Sequence, residues 1–210
     1  MNLFIFVGII LMVVLFLFLY CACIISSRYS RLEEEEGMSI LQEYEENEKI
    51  IGKGKVRAIN DYIDFCAKNN RSILYSDIVY KREEYNKFEN WFKYFIKPFR
   101  ILKHSDLISV HLSEENFCYD WLEEKKYAKD PYSNGYYYDD LFKNYIEKNF
   151  ADLSKRLNYD SESGMFCVYC ANMKDAEEVI YELAKLYRDE KKMIELIKDY
   201  KELKNIPFSI

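Results

Sequence analysis

Few residues in this chain have types and spacing that could do chemistry. Cys167-Val-Tyr-Cys170 has the spacing of a redox-active or zinc-binding pair. A zinc site needs a second pair of ligands, and the two histidines, His104 and His111, are too far apart to form a recognised ligand motif. If Met165–Tyr169 is a strand, the two cysteines point to opposite faces and cannot chelate together. Thioredoxin-like pairs stand at a helix start, which this is not. Packing of both thiols is the expectation. His111 falls on a predicted strand and reads as a satisfied side chain rather than a base. The adjacent carboxylates Asp139-Asp140 and Glu177-Glu178 suit helix starts, where negative charge is favoured. No Ser-His-Asp order, glycine-rich phosphate loop or HExxH occurs. The reading assigns no catalytic residue, metal or cofactor.

The elements around these residues follow from hydrophobic period and turn chemistry. Lys55–Lys68 places Val56, Ile59, Ile63 and Phe65-Cys66 at helical spacing, and Asn69-Asn70 ends it. Glu83–Lys97 is amphipathic, with Tyr85, Phe88, Trp91, Phe92, Phe95 and Ile96 in one stripe, and Pro98 stops it. Seven basic residues from Lys81 to Lys103 interleave with these aromatics. They admit stacking on nucleic acid or contact with an anionic leaflet, but an aromatic stripe at helical spacing is expected in the core. Leu107–Leu112 alternates as a strand, and Ser113 can cap a helix running to about Ala128. Lys129–Gly135 is a loop.

Residues 134–170 read as turn, helix, hairpin and buried strand. Asn134-Gly135 is a turn signal. Asp139 or Asp140 can cap a helix carrying Leu141, Phe142, Tyr145, Phe150, Leu153 and Leu157. Asp160–Gly164 is a polar loop, and Met165–Tyr169 has strand chemistry. Two closing helices follow, one from Asp175 and one through Leu203, separated by the charged cluster Arg188–Lys192. Strand, helix, helix, hairpin, helix, helix predicts an α+β layer, a small sheet covered by helices.

As an ordered string the segment resembles a family of bacterial polymorphic-toxin immunity proteins, immunity protein 51. The resemblance is carried by Asn134, Gly135, Tyr136, Leu141, Leu153, Tyr159, Asp160, Gly164, Met165, Phe166, Cys167 and Tyr169. Ser109–Leu112 is similar to the family's first strand and Asp175–Leu203 to its closing helices, so the likeness spans about residues 105–205. The chain departs from the pattern at Tyr137-Tyr138-Asp139, where the family has Asp-Trp, and at Ala151-Asp152-Leu153, where it has Pro-Glu-Leu. The resemblance implies a cognate protein toxin as partner, bound rather than chemically altered. Tyr137 and Tyr138, beside a predicted loop and off the family pattern, are then the expected toxin contacts. Asp130, Asp139 and Asp140 would speed association with a basic toxin.

Leu3–Ile25 is a run of 23 uncharged residues. A helix of that length is about 35 Å long and spans a hydrocarbon core of about 30 Å. No basic n-region precedes it, and it exceeds a signal-peptide core, so a retained transmembrane anchor is expected. Arg28 and Arg31 follow it, which places the rest of the chain in the cytoplasm, on the inner membrane of a bacterium. The six cysteines suit a reducing compartment, since those beyond the anchor lack a disulfide-framework spacing. The net charge of −6 belongs wholly to residues 28–210.

The expected organisation is a transmembrane anchor (1–27), an acidic stalk (28–54), a helical segment (55–104) and an α+β immunity-protein-like domain (105–205). The expected function is a membrane-anchored immunity protein that binds and neutralises a toxin. A membrane-tethered scaffold or sensor without enzymatic activity is the alternative. No nucleic-acid partner is expected.

Overall fold

A computed structural model describes Tyr20, Gln42 and residues 45–117 and 134–204. The expected span at 3–25 (Tyr20 apart), most of the acidic stalk, the helix expected up to Ala128 beyond Phe117, and Asp130 lie outside them. No helix among the described residues is long and apolar enough to cross a membrane. The chain divides into two compact units, Met1–Ile50 and Ile51–Ile210, and the second contains the sheet.

Three helices open that unit: α1 (Lys53–Lys68), α2 (Tyr75–Tyr80) and α3 (Arg82–Phe95). Strands β1 (Arg100–Lys103) and β2 (Ile108–Ser113) follow, then a 3-10 turn at Glu114–Asn116. Helix α4 (Gly135–Asn149), the single turn α5 (Ala151–Ser154), and strands β3 (Leu157–Tyr159) and β4 (Met165–Cys170) come next. Helices α6 (Met173–Arg188) and α7 (Glu190–Leu203) close the chain. The strands form an antiparallel sheet in the order β1-β2-β4-β3. This is the expected α+β architecture, a helix-rich unit with a small sheet.

Several elements depart from the sequence reading. Helix α4 starts a turn earlier than its carboxylates suggest, because the Asn134 side chain accepts a hydrogen bond from the Tyr137 N–H at 3.1 Å and caps it. Asp139 and Asp140 therefore lie inside the helix. The helix also stops sooner, at Asn149: Phe150 takes φ −141°, and Leu157, expected on the helix, enters β3. Ser113 opens a three-residue 3-10 turn.

Period-two alternation gives the sheet one apolar face. Ile108, Val110 and Leu112 of β2 and Phe166, Val168 and Cys170 of β4 point into the core with Leu141, Phe142 and Ile146 of α4 and Val179, Ile180 and Leu183 of α6. The aromatic stripe of α3 belongs to the same core. Phe88 and Phe92 are buried, while Tyr85, Trp91, Phe95 and Ile96 pack against them. Helix α1 rests on α6 at a backbone close approach. A Cβ at Gly54 would lie 2.8 Å from the N and Cβ of Glu178 and nearer still to its Cα. Charges line the seam. Lys55, nearly buried, meets Glu89 at 2.6 Å and Glu177 at 3.0 Å, and Arg57 meets Glu178 at 2.5 Å and Glu182 at 3.0 Å. Burial alone would lower the Lys55 ammonium, but its two carboxylates outweigh burial and hold it above its ordinary range.

Candidate protein-binding surface

The string that carries the family likeness closes on itself in space. The Gly135 N–H donates to the Ser163 carbonyl at 2.8 Å, so the first residue of α4 lies against the loop that enters β4. A Cβ at Gly135 would fall 2.6 Å from the Met165 carbonyl carbon and closer to the carbonyl oxygens of Glu162 and Met165. Only glycine fits there. Ser161 finishes the clasp, its hydroxyl accepting from the Cys167 N–H at 2.9 Å. Gly164 is not confined in this way: the nearest atom to a Cβ there is a Glu114 carboxylate oxygen at 3.5 Å.

The tyrosines beside this clasp take places other than those their sequence setting suggested. Tyr138 is fully buried, stacked on Phe117 with centroids 4.6 Å apart. Tyr137 is 9% exposed and meets Tyr200 edge-on at 5.3 Å. Tyr136, which belongs to the string that carries the family likeness, is 56% exposed. The reason is helical phase: with α4 starting at Gly135, Tyr138 lines up with Leu141, Phe142 and Tyr145 on the core side. Asp140 accepts from the Tyr200 hydroxyl at 3.0 Å and pairs with Lys204 at 3.3 Å. Burial raises the Asp139 carboxyl above its usual range, against the opposing hydrogen bond from Ser161. The structure thus brings Tyr137 and Asp140 to Tyr200 of α7, and packs Tyr138 against Phe117 and Phe142.

The second face of the sheet has a different character. Its rows follow the register: Arg100, His111 and Cys167 across one line, Leu102, Ser109, Tyr169 and Asn158 across the next. Helices α4 and α6 pack on the opposite, apolar face. An antiparallel sheet tolerates this, with one side on the core and one toward solvent. The middle of this face is buried, with Ser109, His111 and Cys167 0%, 9% and 1% exposed. At the rim Leu102 and Leu107 are 49% and 46% exposed, and Arg100, Lys103 and His104 stand in solvent.

A hydrogen-bonded chain runs along this face. His104 Nε2 lies 2.8 Å from Ser109 Oγ, Ser109 Oγ 2.6 Å from His111 Nε2, and His111 Nδ1 3.1 Å from Met165 Sδ. Donor accounting fixes the protons. If the His111 Nδ1–H donates to sulfur, its Nε2 must accept from the Ser109 hydroxyl, which in turn accepts from the His104 Nε2–H. Burial, then the charge of His104, holds the His111 imidazole below its ordinary range, so the neutral form that the chain needs is favoured. A serine between imidazoles looks like a nucleophile with its base. Here the hydroxyl is buried and, among the described residues, no carboxylate orients either ring, so the chain holds side chains in place. Sequence reading placed His111 on the strand but missed His104, which the β1–β2 turn brings in through the His104 N–H to the Leu107 carbonyl at 2.8 Å.

Both cysteines are packed, as their spacing suggested. They lie on opposite faces of β4, and burial pushes the Cys167 thiol up to about 11 and the Cys170 thiol to about 12. Among the described residues no cluster of three or more His, Cys, Asp or Glu side chains could hold a metal. An open cleft of about 730 Å³ lies between Asp61, Phe95, Lys185, Arg188 and the start of α7. Several of its charges are already engaged. Asp61 accepts from the Tyr181 hydroxyl and pairs with Lys185 at 2.9 Å, and Arg188 donates to the carbonyls of Tyr94, Phe95 and Lys97.

No curated protein and no solved structure matches the chain. The family model of Immunity protein 51 matches residues 99–202, from just before β1 to the end of α7, and so takes in the whole sheet, the Gly135 clasp and the face that α4 and α6 leave open. Residues 99–202 are a domain of the immunity protein 51 family.

Proposed function

We propose that the chain is a membrane-anchored immunity protein that binds a cognate bacterial toxin and neutralises it, and that the toxin is held on the open face of the sheet. The family of residues 99–202 is one of toxin immunity proteins, whose work is binding rather than catalysis. The observation that supports this location is the distribution of cover. The apolar side of the sheet is filled by α4 and α6, and α6 is itself covered by α1, whereas Arg100, Leu102, Leu107, His104 and Tyr169 form a mixed apolar and polar surface with no described helix against it. Interface energy concentrates in a few aromatic, arginine or large apolar anchors ringed by polar groups, and this face supplies that composition. Its central side chains are pre-set by the His104–Ser109–His111–Met165 chain, so little side-chain ordering remains to oppose binding. In this reading Leu3–Ile25 spans the inner membrane and the domain lies on its cytoplasmic side.

The experiment is the affinity of the chain for the product of an adjacent toxin gene, with Leu102→Asp and Tyr169→Ala as variants. Each should weaken binding by about 2 kcal/mol or more, roughly 30-fold, without lowering thermal stability comparably. Tight binding that neither substitution alters places the interface elsewhere, and absence of toxin binding ends the immunity reading.

A further inference from the structure

Helix α3 carries a second surface, outside the family-matched residues. With Phe88 and Phe92 turned inward, Arg82, Asn86, Asn90, Lys93, Tyr94 and Lys97 are left on the outer side, all exposed. Two of the three carboxylates of this helix are turned to close lysine partners. Glu84 pairs with Lys87 at 2.6 Å and Glu89 faces Lys55 at 2.6 Å, while Glu83, 3.4 Å from Lys87, is the exposed carboxylate beside this face. Among the described residues no carboxylate reaches Arg82, Lys93 or Lys97. Tyr94 is 67% exposed, and Tyr80, just before the helix, 68%. The wider segment 65–103 holds five more basic than acidic residues in a chain whose net charge is −6.

We infer that this outer face of α3 rests on an anionic lipid surface, the leaflet from which the domain would be tethered. The inference builds on the membrane-anchor part of the proposed function and adds a contact to it. Unpaired Lys and Arg near an anionic leaflet are attracted within about a Debye length, roughly 10 Å. Exposed tyrosines beside them suit the headgroup layer, where an apolar ring and a polar tip are both accommodated. The tether keeps the surface at hand. The 27 residues between Ile25 and Lys53 span about 40 Å as a helix and about 90 Å extended. A face attracted only weakly in free solution is therefore presented to the leaflet at high effective concentration. Nucleic acid fits less well. Phe88, Trp91, Phe92 and Phe95 face the core or pack against it, which leaves Tyr80 and Tyr94 rather than a continuous row of rings to stack on bases.

The test uses the full chain in lipid nanodiscs, either neutral phosphatidylcholine or about 30 mol% phosphatidylglycerol. Amine acetylation is followed lysine by lysine by mass spectrometry. Lys93 and Lys97 should react at least about threefold more slowly on anionic discs at low salt, and about 0.5 M salt should abolish the difference. The exposed Lys143 of α4 and Lys191 of α7 should react equally on both. Equal rates at Lys93 and Lys97 in chains that have entered the discs overturn this inference and leave the anchor standing. Failure of the chain to enter discs overturns both. Protection of these lysines by a single-stranded oligonucleotide on neutral discs, with none from anionic lipid, assigns the surface to nucleic acid instead.

Discussion

Gly135→Ala is the sharpest test of the clasp between α4 and the β4 entry loop. The added methyl would stand 2.6 Å from the Met165 carbonyl carbon and closer to two carbonyl oxygens, where carbon–carbon contacts are normally about 3.5–4 Å. Every one of those neighbours is backbone, so no side chain can swing away. Either α4 or the 162–165 loop must move by about an ångström, stretching the 2.8 Å bond from the Gly135 N–H to the Ser163 carbonyl. Overpacking of this kind costs about 1–3 kcal/mol, and loss of the hydrogen bond adds about 1 kcal/mol. The better helix propensity of alanine returns at most about 1 kcal/mol. The net expectation is a loss of about 2–3 kcal/mol, a large part of a typical total of about 5–15 kcal/mol. For a unit of this size that lowers the melting temperature by about 4–12 °C. Gly164→Ala is the matched control, since its nearest neighbour is 3.5 Å away and its φ lies outside the left-handed region. It should change stability by less than about 0.5 kcal/mol. Thermal and urea unfolding of both variants by circular dichroism decides the matter. If Gly135→Ala melts with the parent, or Gly164→Ala falls as far, the clasp does not hold the domain as argued.

Three further outcomes are expected from placement. Tyr138→Ala, which empties a fully buried site stacked on Phe117, should cost about 3–5 kcal/mol, while the exposed Tyr136→Ala should cost less than about 0.5 kcal/mol; denaturant titration separates them. The His111 imidazole is depressed in the fold, so the unfolded chain takes up its proton first; its contribution is full above the unfolded pKa of about 6.5 and is lost as pH falls from there through the folded value. The stability difference between the parent and His111→Gln, measured from pH 8 to pH 5, should therefore shrink toward acid, and a difference that is flat or grows removes the buried neutral ring from the argument. The thiols of Cys167 and Cys170, pushed up to about 11 and about 12, should resist iodoacetamide at pH 8 in the native chain and react once denaturant is added, as read by peptide mapping.

Legibility in the sequence tracks how much of an element's signal is its own. Strand β2 and the larger helices announce themselves by strict period. Strand β1 does not, because only Ile101 of its four residues turns toward the core and its exposed neighbours break the alternation. Strand β3 merges in sequence with the preceding helix, since Leu153 and Leu157 keep an i, i+4 spacing although the chain has left the helix at Phe150. The tyrosine cluster shows the same weakness at finer scale. With the start set at Gly135 by the Asn134 side chain, the three tyrosines lie on the helix instead of beside it, and at about 100° per residue Tyr137 and Tyr138 turn inward while Tyr136 turns out. The open sheet face is half legible. Ser109 and His111 alternate with apolar residues, but Leu102 and Tyr169 join them only through a register no sequence pattern states.

What lies outside the family-matched segment also narrows where a partner can bind. Helix α6 bears Glu177, Glu178 and Glu182 on one side, a ridge of carboxylates. In the fold that ridge is occupied. Gly54 lets the α1 backbone come within contact of Glu178, and Lys55 and Arg57 neutralise the carboxylates in pairs of 2.5–3.0 Å. Ala58, Ile59, Tyr62 and Cys66 are buried along the same helix, so α1 is held by its core as well as by its charges. Displacing it would uncover those side chains and strand a lysine whose charge depends on Glu89 and Glu177. A toxin would have to supply all of that again. Residues 53–96 therefore cover the glutamate side of α6, while none of the described residues 53–96 is part of the sheet face carrying Leu102 and Tyr169 that is proposed to meet the toxin.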